Sequence, residues 1–203
     1  MSGSAYWLLV ALGMGVVVVR RRSVAVALVT IQALVLAAVA GRDATGSGDL
    51  AAAIALGVRA VALAVLLGVL IARTREPQRV RAGSPPLLRA VAALGFALTL
   101  TWLVPEIGLT SRSAERAVLA LIAFGIVTAA TRRATLFQVM GIVLVENGLA
   151  LAALTLPGIS SPAIELGVTV DLTLVALVAA AFHERIFAEF GAGDTAALRS
   201  LRD

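Results

Sequence analysis

The sequence predicts an all-α fold, a polytopic membrane bundle of about seven transmembrane helices, and three observations carry that reading. Hydrophobic residues make up 60% of the 203 positions and charged residues only 14%, with a mean hydropathy of +1.00. That is too little polar surface for a chain folded in water. The apolar runs approach the roughly 20 residues that a helix needs to cross a bilayer. Finally, all 17 basic residues are Arg, and most of them gather in short clusters between the runs, as topogenic charges do.

In chain order the predicted spans are Ala5–Val19, Ser23–Gly41, Leu50–Ala72, Leu87–Val104, Ala114–Ala130, Ala134–Leu156 and Ala163–Phe187. Chain breakers fall between them: Gly46-Ser47-Gly48, Ser84-Pro85-Pro86, Pro105, Pro157-Gly158 and Pro162. The first and fifth spans are short for the hydrocarbon core, so they borrow flanking residues or bury their ends in protein. Arg20, Arg21 and Arg22 follow the first apolar run instead of preceding it, which reads as a retained helix and not as a cleaved leader.

Charge fixes the expected orientation. Arg20 to Arg22, Arg73, Arg75, Arg79, Arg81, Arg89, Arg132, Arg133, Arg185, Arg199 and Arg202 fall on one side, 13 in all, against Arg42, Arg112 and Arg116 on the other. By the positive-inside rule the N-terminus is outside and the C-terminus cytoplasmic, in a multi-pass protein of the cell's cytoplasmic (inner) membrane. Tyr6, Trp7 and Trp102 then fall at the outer interface, where amphipathic rings anchor helices.

A shift of 110 residues lays Ile54, Leu56, Gly57 and Val58 over Ile164, Leu166, Gly167 and Val168, Arg22 over Arg132, and Leu34-Val35 over Leu144-Val145. This reads as a degenerate duplication of a three-helix unit, with the fourth span restoring the orientation of the second copy. The organisation is therefore an N-terminal three-helix unit at 1–72, an Arg-rich cytoplasmic loop and fourth helix at 73–113, a C-terminal three-helix unit at 114–190 and a cytoplasmic tail at 191–203.

Composition also excludes classes of function. The net charge of +5 comes with 4% aromatic residues, so stacking platforms for bases are lacking and nucleic acid is not an expected partner. The chain contains no Cys and one His, which excludes iron–sulfur ligation and makes a His-based metal or haem site improbable. No cofactor is expected in this chain. If the protein belongs to a redox system, its redox chemistry is therefore elsewhere. With no phosphate-binding Gly loop, nucleophile constellation or metal-ligand spacing, no active site for bond chemistry is expected.

An ionisable group near the bilayer centre is costly and needs a partner, a wet path or a proton. Glu146 in the sixth span, Asp171 in the seventh and Arg59 in the third all lie roughly 12–15 Å from the outer boundary at 1.5 Å per residue. Gln32 in the second span is at a similar depth. Four polar residues on four helices at one level define a polar layer. Within it, Glu146 and Asp171 are the candidate proton-translocating groups, because desolvation and a nearby cation act oppositely on a carboxyl group and together tune it. Arg59, Gln32 and Asn147 are candidate charge partners; Asn147 and Gln138 also fit an interhelical packing role, and Arg59 fits a fixed ion pair equally well. His183, beside Glu184 near the cytoplasmic end of the last span, is a candidate point where protons enter, or a solvated helix end. Glu106, Glu115 and Glu165 belong to the outer interface.

The stretch Thr131-Arg132-Arg133-Ala134-Thr135-Leu136-Phe137, followed by Gly141 and Glu146-Asn147-Gly148, resembles the second helix of the K-type membrane subunit of respiratory complex I. In that family a double Arg, a Leu-Phe pair, a Gly, a buried Glu and an Asn follow in the same order. Here the Glu is displaced by about one helical turn, which preserves nearly the same face. Asp171 falls where the family carries a second buried Glu, and Phe190 to Arg202 resembles its polar tail. With its additional N-terminal helices the whole chain resembles component E of hydrogenase-4-type complexes. The resemblance implies a non-catalytic membrane subunit of an energy-converting hydrogenase or related complex I-like oxidoreductase. Its partners would be the other membrane-arm subunits and the lipid bilayer, and Glu146 and Asp171 would serve proton translocation coupled to electron transfer elsewhere. The alternatives are a subunit of a multisubunit cation/proton antiporter, whose C-type subunit resembles the same three-helix unit, and a purely structural membrane-arm subunit.

Overall fold

The computed structural model of the protein describes residues 3–74 and 84–156. Within them the chain forms six helices: α1 (Gly3–Val18), α2 (Arg22–Asp43), α3 (Ser47–Thr74), α4 (Pro86–Leu103), α5 (Arg112–Thr131) and α6 (Thr135–Thr155). These correspond to the first six predicted spans. The seventh span, with Asp171 and His183, and the tail at 191–203 lie outside the described residues. Five of the helices, α2 to α6, are long and apolar enough to cross a membrane, and α1 is a shorter apolar helix. The protein is thus a multi-pass membrane helix bundle.

Local chemistry sets the helix ends. Pro86 occupies the first position of α4, where its missing N–H is no loss. The Ser111 hydroxyl caps α5 by accepting from the Ala114 amide at 3.2 Å. Between α4 and α5 the chain reverses through Gly108, at φ 80°, a conformation that side chains with a Cβ resist. One oxygen of Glu115 accepts from the amides of Ile107 and Gly108, each at 3.0 Å. Glu115 therefore organises this turn, a role that its expected place at the outer interface did not specify. Inside the spans, the hydroxyls of Thr101, Thr128, Thr131 and Thr155 each donate to the carbonyl four residues back, which hides them from an apolar surrounding.

Sequential helices pair as hairpins, α2 with α3 and α5 with α6, and α1 packs against α2, α4 and α5. The closest approach is between α5 and α6. A Cβ on Gly141 would stand 2.7 Å from the Gly125 carbonyl oxygen and 2.8 Å from the Ala129 nitrogen. Only a hydrogen at these positions allows the two backbones to touch, the device by which helices associate without a hydrophobic drive. The apolar core then divides by depth. Phe124, Phe137, Met140 and Leu144 fill the half toward the α1–α2 and α5–α6 turns with Val16 and Val17. Tyr6, Leu9, Leu36, Leu121 and Leu151 fill the opposite half, toward the α2–α3 and α4–α5 turns.

The outward surface is apolar too. On α3, Ile54, Val58, Val61, Val65 and Val69 are exposed, whereas Leu56, Arg59, Ala60, Leu63 and Leu67 are buried. A stripe of exposed β-branched residues at helical spacing would be a liability in water; against lipid it is the expected solvent face. Trp7 and Trp102 are 73% and 85% exposed, consistent with interfacial anchoring, but Tyr6 is only 5% exposed. Tyr6 is therefore corrected from an anchor to a core residue, because α1 turns that face toward α5.

Candidate functional site in the polar layer

Four of the expected polar residues fall within the described helices and meet in two bonded sets. Arg59 projects from the buried face of α3, and its Nη2 donates to Oε2 of Glu146 on α6 at 2.8 Å. The side chains are 2% and 14% exposed. The carboxylate is thus the more accessible partner, and the guanidinium is almost wholly enclosed. Among the described residues, Nε and Nη1 of Arg59 have no hydrogen-bond acceptor. A charge so placed is tolerable only while its counter-charge stays beside it.

Asn147, next to Glu146, points about 100° around the same helix and so reaches α2 instead of α3. Its Nδ2 donates to Oε1 of Gln32 at 2.8 Å, and Nε2 of Gln32 donates onward to the carbonyl oxygen of Leu9 at 2.8 Å. The direction is forced at one end, since a carbonyl oxygen only accepts. Space for the amide comes from Gly13 on α1, where a Cβ would lie 3.3 Å from Nε2 of Gln32. Consecutive residues on α6 therefore tie it to α3 by charge, and through Gln32 to α2 and α1 by neutral hydrogen bonds. Three residues expected at one level, Gln32, Arg59 and Glu146, are thus gathered around one turn of α6. The position of Asp171 relative to it lies outside the described residues.

A second polar constellation, not anticipated, occupies the end of the bundle where the α1–α2 and α5–α6 turns lie. Arg22, Arg89 and Arg132 are buried, although their positions in the sequence read as topogenic charges. Arg132 donates through Nη2 to the carbonyl of Val17 at 3.1 Å and also to that of Val19. Arg89 approaches the carbonyl of Val18 at 3.4 Å. The last carbonyls of α1 lack helical partners, and two arginines from distant segments provide them, with their charge at the negative end of the helix dipole. Gln138 satisfies the Arg132 carbonyl at 3.2 Å, so it serves as a helix-end partner. Arg132 also stacks on the Phe137 ring, 4.1 Å from its centroid. Burial first, then the charges of Arg89 and Arg20, pull the Arg132 guanidinium down to about 9, so it remains charged at neutral pH. Arg89 lies two residues inside the fourth predicted span; that inset was the one sequence signal separating it from a solvated charge.

Among the described residues, no three or more His, Cys, Asp or Glu side chains gather as a metal site would require. Fold and site together define a polytopic membrane protein with a hydrogen-bonded polar layer and a buried ion pair in its interior. Compared with protein-family models, curated proteins and solved structures, the chain matches none of them.

Proposed function

We propose that this chain is a membrane subunit of a hydrogenase-4-type energy-converting hydrogenase, or of a related complex I-like oxidoreductase, in the cytoplasmic membrane. In this reading Glu146 and Asp171 relay protons while other subunits transfer electrons. One observation carries the proposal: a carboxylate within the bilayer, Glu146, is held by a guanidinium from another helix and is itself the less enclosed partner. Ionisable groups at that depth are costly, and they persist where protons or ions move.

The pair has the features of a two-state element. A proton arriving on Glu146 cancels its charge and leaves Arg59 as an enclosed cation, so the guanidinium is driven toward any other acceptor that comes within reach. Loss of the proton draws it back. Proton occupancy and helix contact between α3 and α6 are thereby linked, which is what coupling to events in a neighbouring subunit requires. Gln32 and Asn147 form a neutral chain beside the pair and hold α6 in register while the charge changes.

The test is proton pumping in membranes carrying the assembled complex with Glu146→Gln or Asp171→Asn. Pumping is expected to fall to a small fraction while subunit assembly and electron transfer persist. Normal pumping in both variants refutes the mechanism. Gentle detergent purification with mass-spectrometric identification of co-purifying chains tests the family assignment separately; hydrogenase or complex I-like partners are expected, and antiporter subunits without redox partners would replace it. The closed chain from Asn147 through Gln32 to Leu9 favours a second reading, in which the layer only locks the helices. That reading requires pumping to survive replacement of the layer by apolar residues.

A further inference from the structure

The inner end of the bundle concentrates positive charge beyond anything topology requires. Arg89 and Arg132 are 1% and 2% exposed, yet Nε and Nη1 of both have no hydrogen-bond partner among the described residues. Their hydrogen bonds among the described residues run to the neutral carbonyls of Val17, Val18 and Val19, and Arg132 also stacks on the neutral Phe137 ring. Arg20, Arg21 and Arg133 are exposed around this pair, and Arg22 is buried beside the α1–α2 turn. The starts of α2, α4 and α6 open at the same end, and none has a side-chain cap, so three positive dipole ends add to the field. The described carboxylates are elsewhere. Asp43, Asp49, Glu106 and Glu115 lie at the outer turns and Glu146 at mid-depth.

Water can satisfy an N–H but cannot neutralise buried cations, and enclosed charges without a counter-charge are rarely kept. We propose that the inner ends of α1, α4 and α5 form a binding site for a phosphate group, held by the guanidinium forks of Arg89 and Arg132 and screened by Arg20. Phosphate suits the donor set because several tetrahedrally arranged oxygens accept from paired N–H groups of planar forks. The level suits it as well, since these helix ends lie where headgroups lie, and basic pockets between helices on the cytoplasmic side take anionic headgroups. The phosphate has two sources, the headgroup of an anionic phospholipid or free inorganic phosphate. In both cases the anion joins the α1–α2 turn, α4 and the α5–α6 turn, which are distant in the chain.

The test uses the full chain in a neutral detergent, stripped of lipid and titrated with phosphatidylglycerol, phosphatidylcholine or inorganic phosphate. Bound lipid is read by native mass spectrometry and stability by the thermal midpoint. One phosphatidylglycerol per chain is expected, held about tenfold more tightly than phosphatidylcholine as a charge-assisted contact implies, with a raised midpoint. Arg89→Gln and Arg132→Gln are each expected to lose most of that preference. Displacement of the lipid by millimolar phosphate, with the same stabilisation, assigns the site to the free anion; stabilisation by lipid alone assigns it to the headgroup. Equal retention of the two lipids with no response to phosphate overturns the proposal, as does full preference in both variants. The wild-type preference is decisive by itself if the variants do not fold, and Arg132→Lys, which keeps the charge but loses the fork, then provides the graded comparison.

Discussion

Nη2 of Arg59 lies 2.8 Å from Oε2 of Glu146, across α3 and α6 and 87 residues apart in sequence. Breaking a buried pair by removing one partner is far worse than removing both, because the survivor is left charged and enclosed. Glu146→Met, which strands the 2%-exposed Arg59 with no acceptor among the described residues, is therefore expected to destabilise the bundle by about 3–5 kcal/mol, and Glu146→Met combined with Arg59→Met to recover most of the loss. Reversible unfolding in mixed micelles measures it. Equal destabilisation by the single and double variants would show that the two side chains do not depend on each other.

The neutral chain from Asn147 to Gln32 to Leu9 calls for a smaller effect. Interhelical hydrogen bonds in membranes contribute about 0.6 kcal/mol on average and about 1.7 at most. Gln32→Leu and Asn147→Leu are each expected in that range. Their effects should be sub-additive in the double variant, since either change breaks the same bond. Strict additivity in the cycle would contradict the bond.

Gly141→Leu is expected to separate α5 from α6. Its Cβ has no room beside the Gly125 carbonyl and the Ala129 nitrogen, and overpacking of a tight contact typically costs about 1–3 kcal/mol or more. Gly95→Leu is the control, because nothing lies within 4 Å of a Cβ there. The thermal midpoints of the two purified variants should differ clearly, with Gly95→Leu near wild type; matching midpoints would refute the close contact.

The chain has no Cys, so single cysteines report orientation without background. Gly46→Cys, at the exposed α2–α3 turn, is expected to react with a membrane-impermeant maleimide in intact cells. Ser23→Cys, exposed at the opposite end of α2, should react only after permeabilisation. The reverse pattern would invert the positive-inside assignment.

Hydropathy and chain breakers located six helices, and the structure differs mainly at their ends. α3 runs 28 residues, Ser47–Thr74, where 50–72 was expected, and α5 runs 20, Arg112–Thr131, where 114–130 was expected. In both cases polar residues at the rim continue a helix that hydropathy truncates. Depth counting found Gln32, Arg59 and Glu146 because depth along a helix is one-dimensional and follows from residue number. It did not reveal which would bond to which. Asn147, read in the sequence as an interhelical packing group, is the residue through which α6 reaches Gln32, but its partner was not legible.

By itself the sequence determined that this is a multi-pass helical membrane protein, where its helices run, and that costly polar groups share one level. These properties are written in local composition, because the bilayer solvates each span according to its own side chains. Only the tertiary structure decided that Glu146 faces Arg59, that Asn147 faces Gln32, and that Arg89 and Arg132 turn inward to hold the end of α1. The rotation of a helix about its axis and the choice of neighbour depend on side-chain packing between segments remote in the chain. An arginine at the end of an apolar run reads the same whether headgroups or helix carbonyls receive it, and the close contact of Gly125 with Gly141 exists only once α5 and α6 have docked.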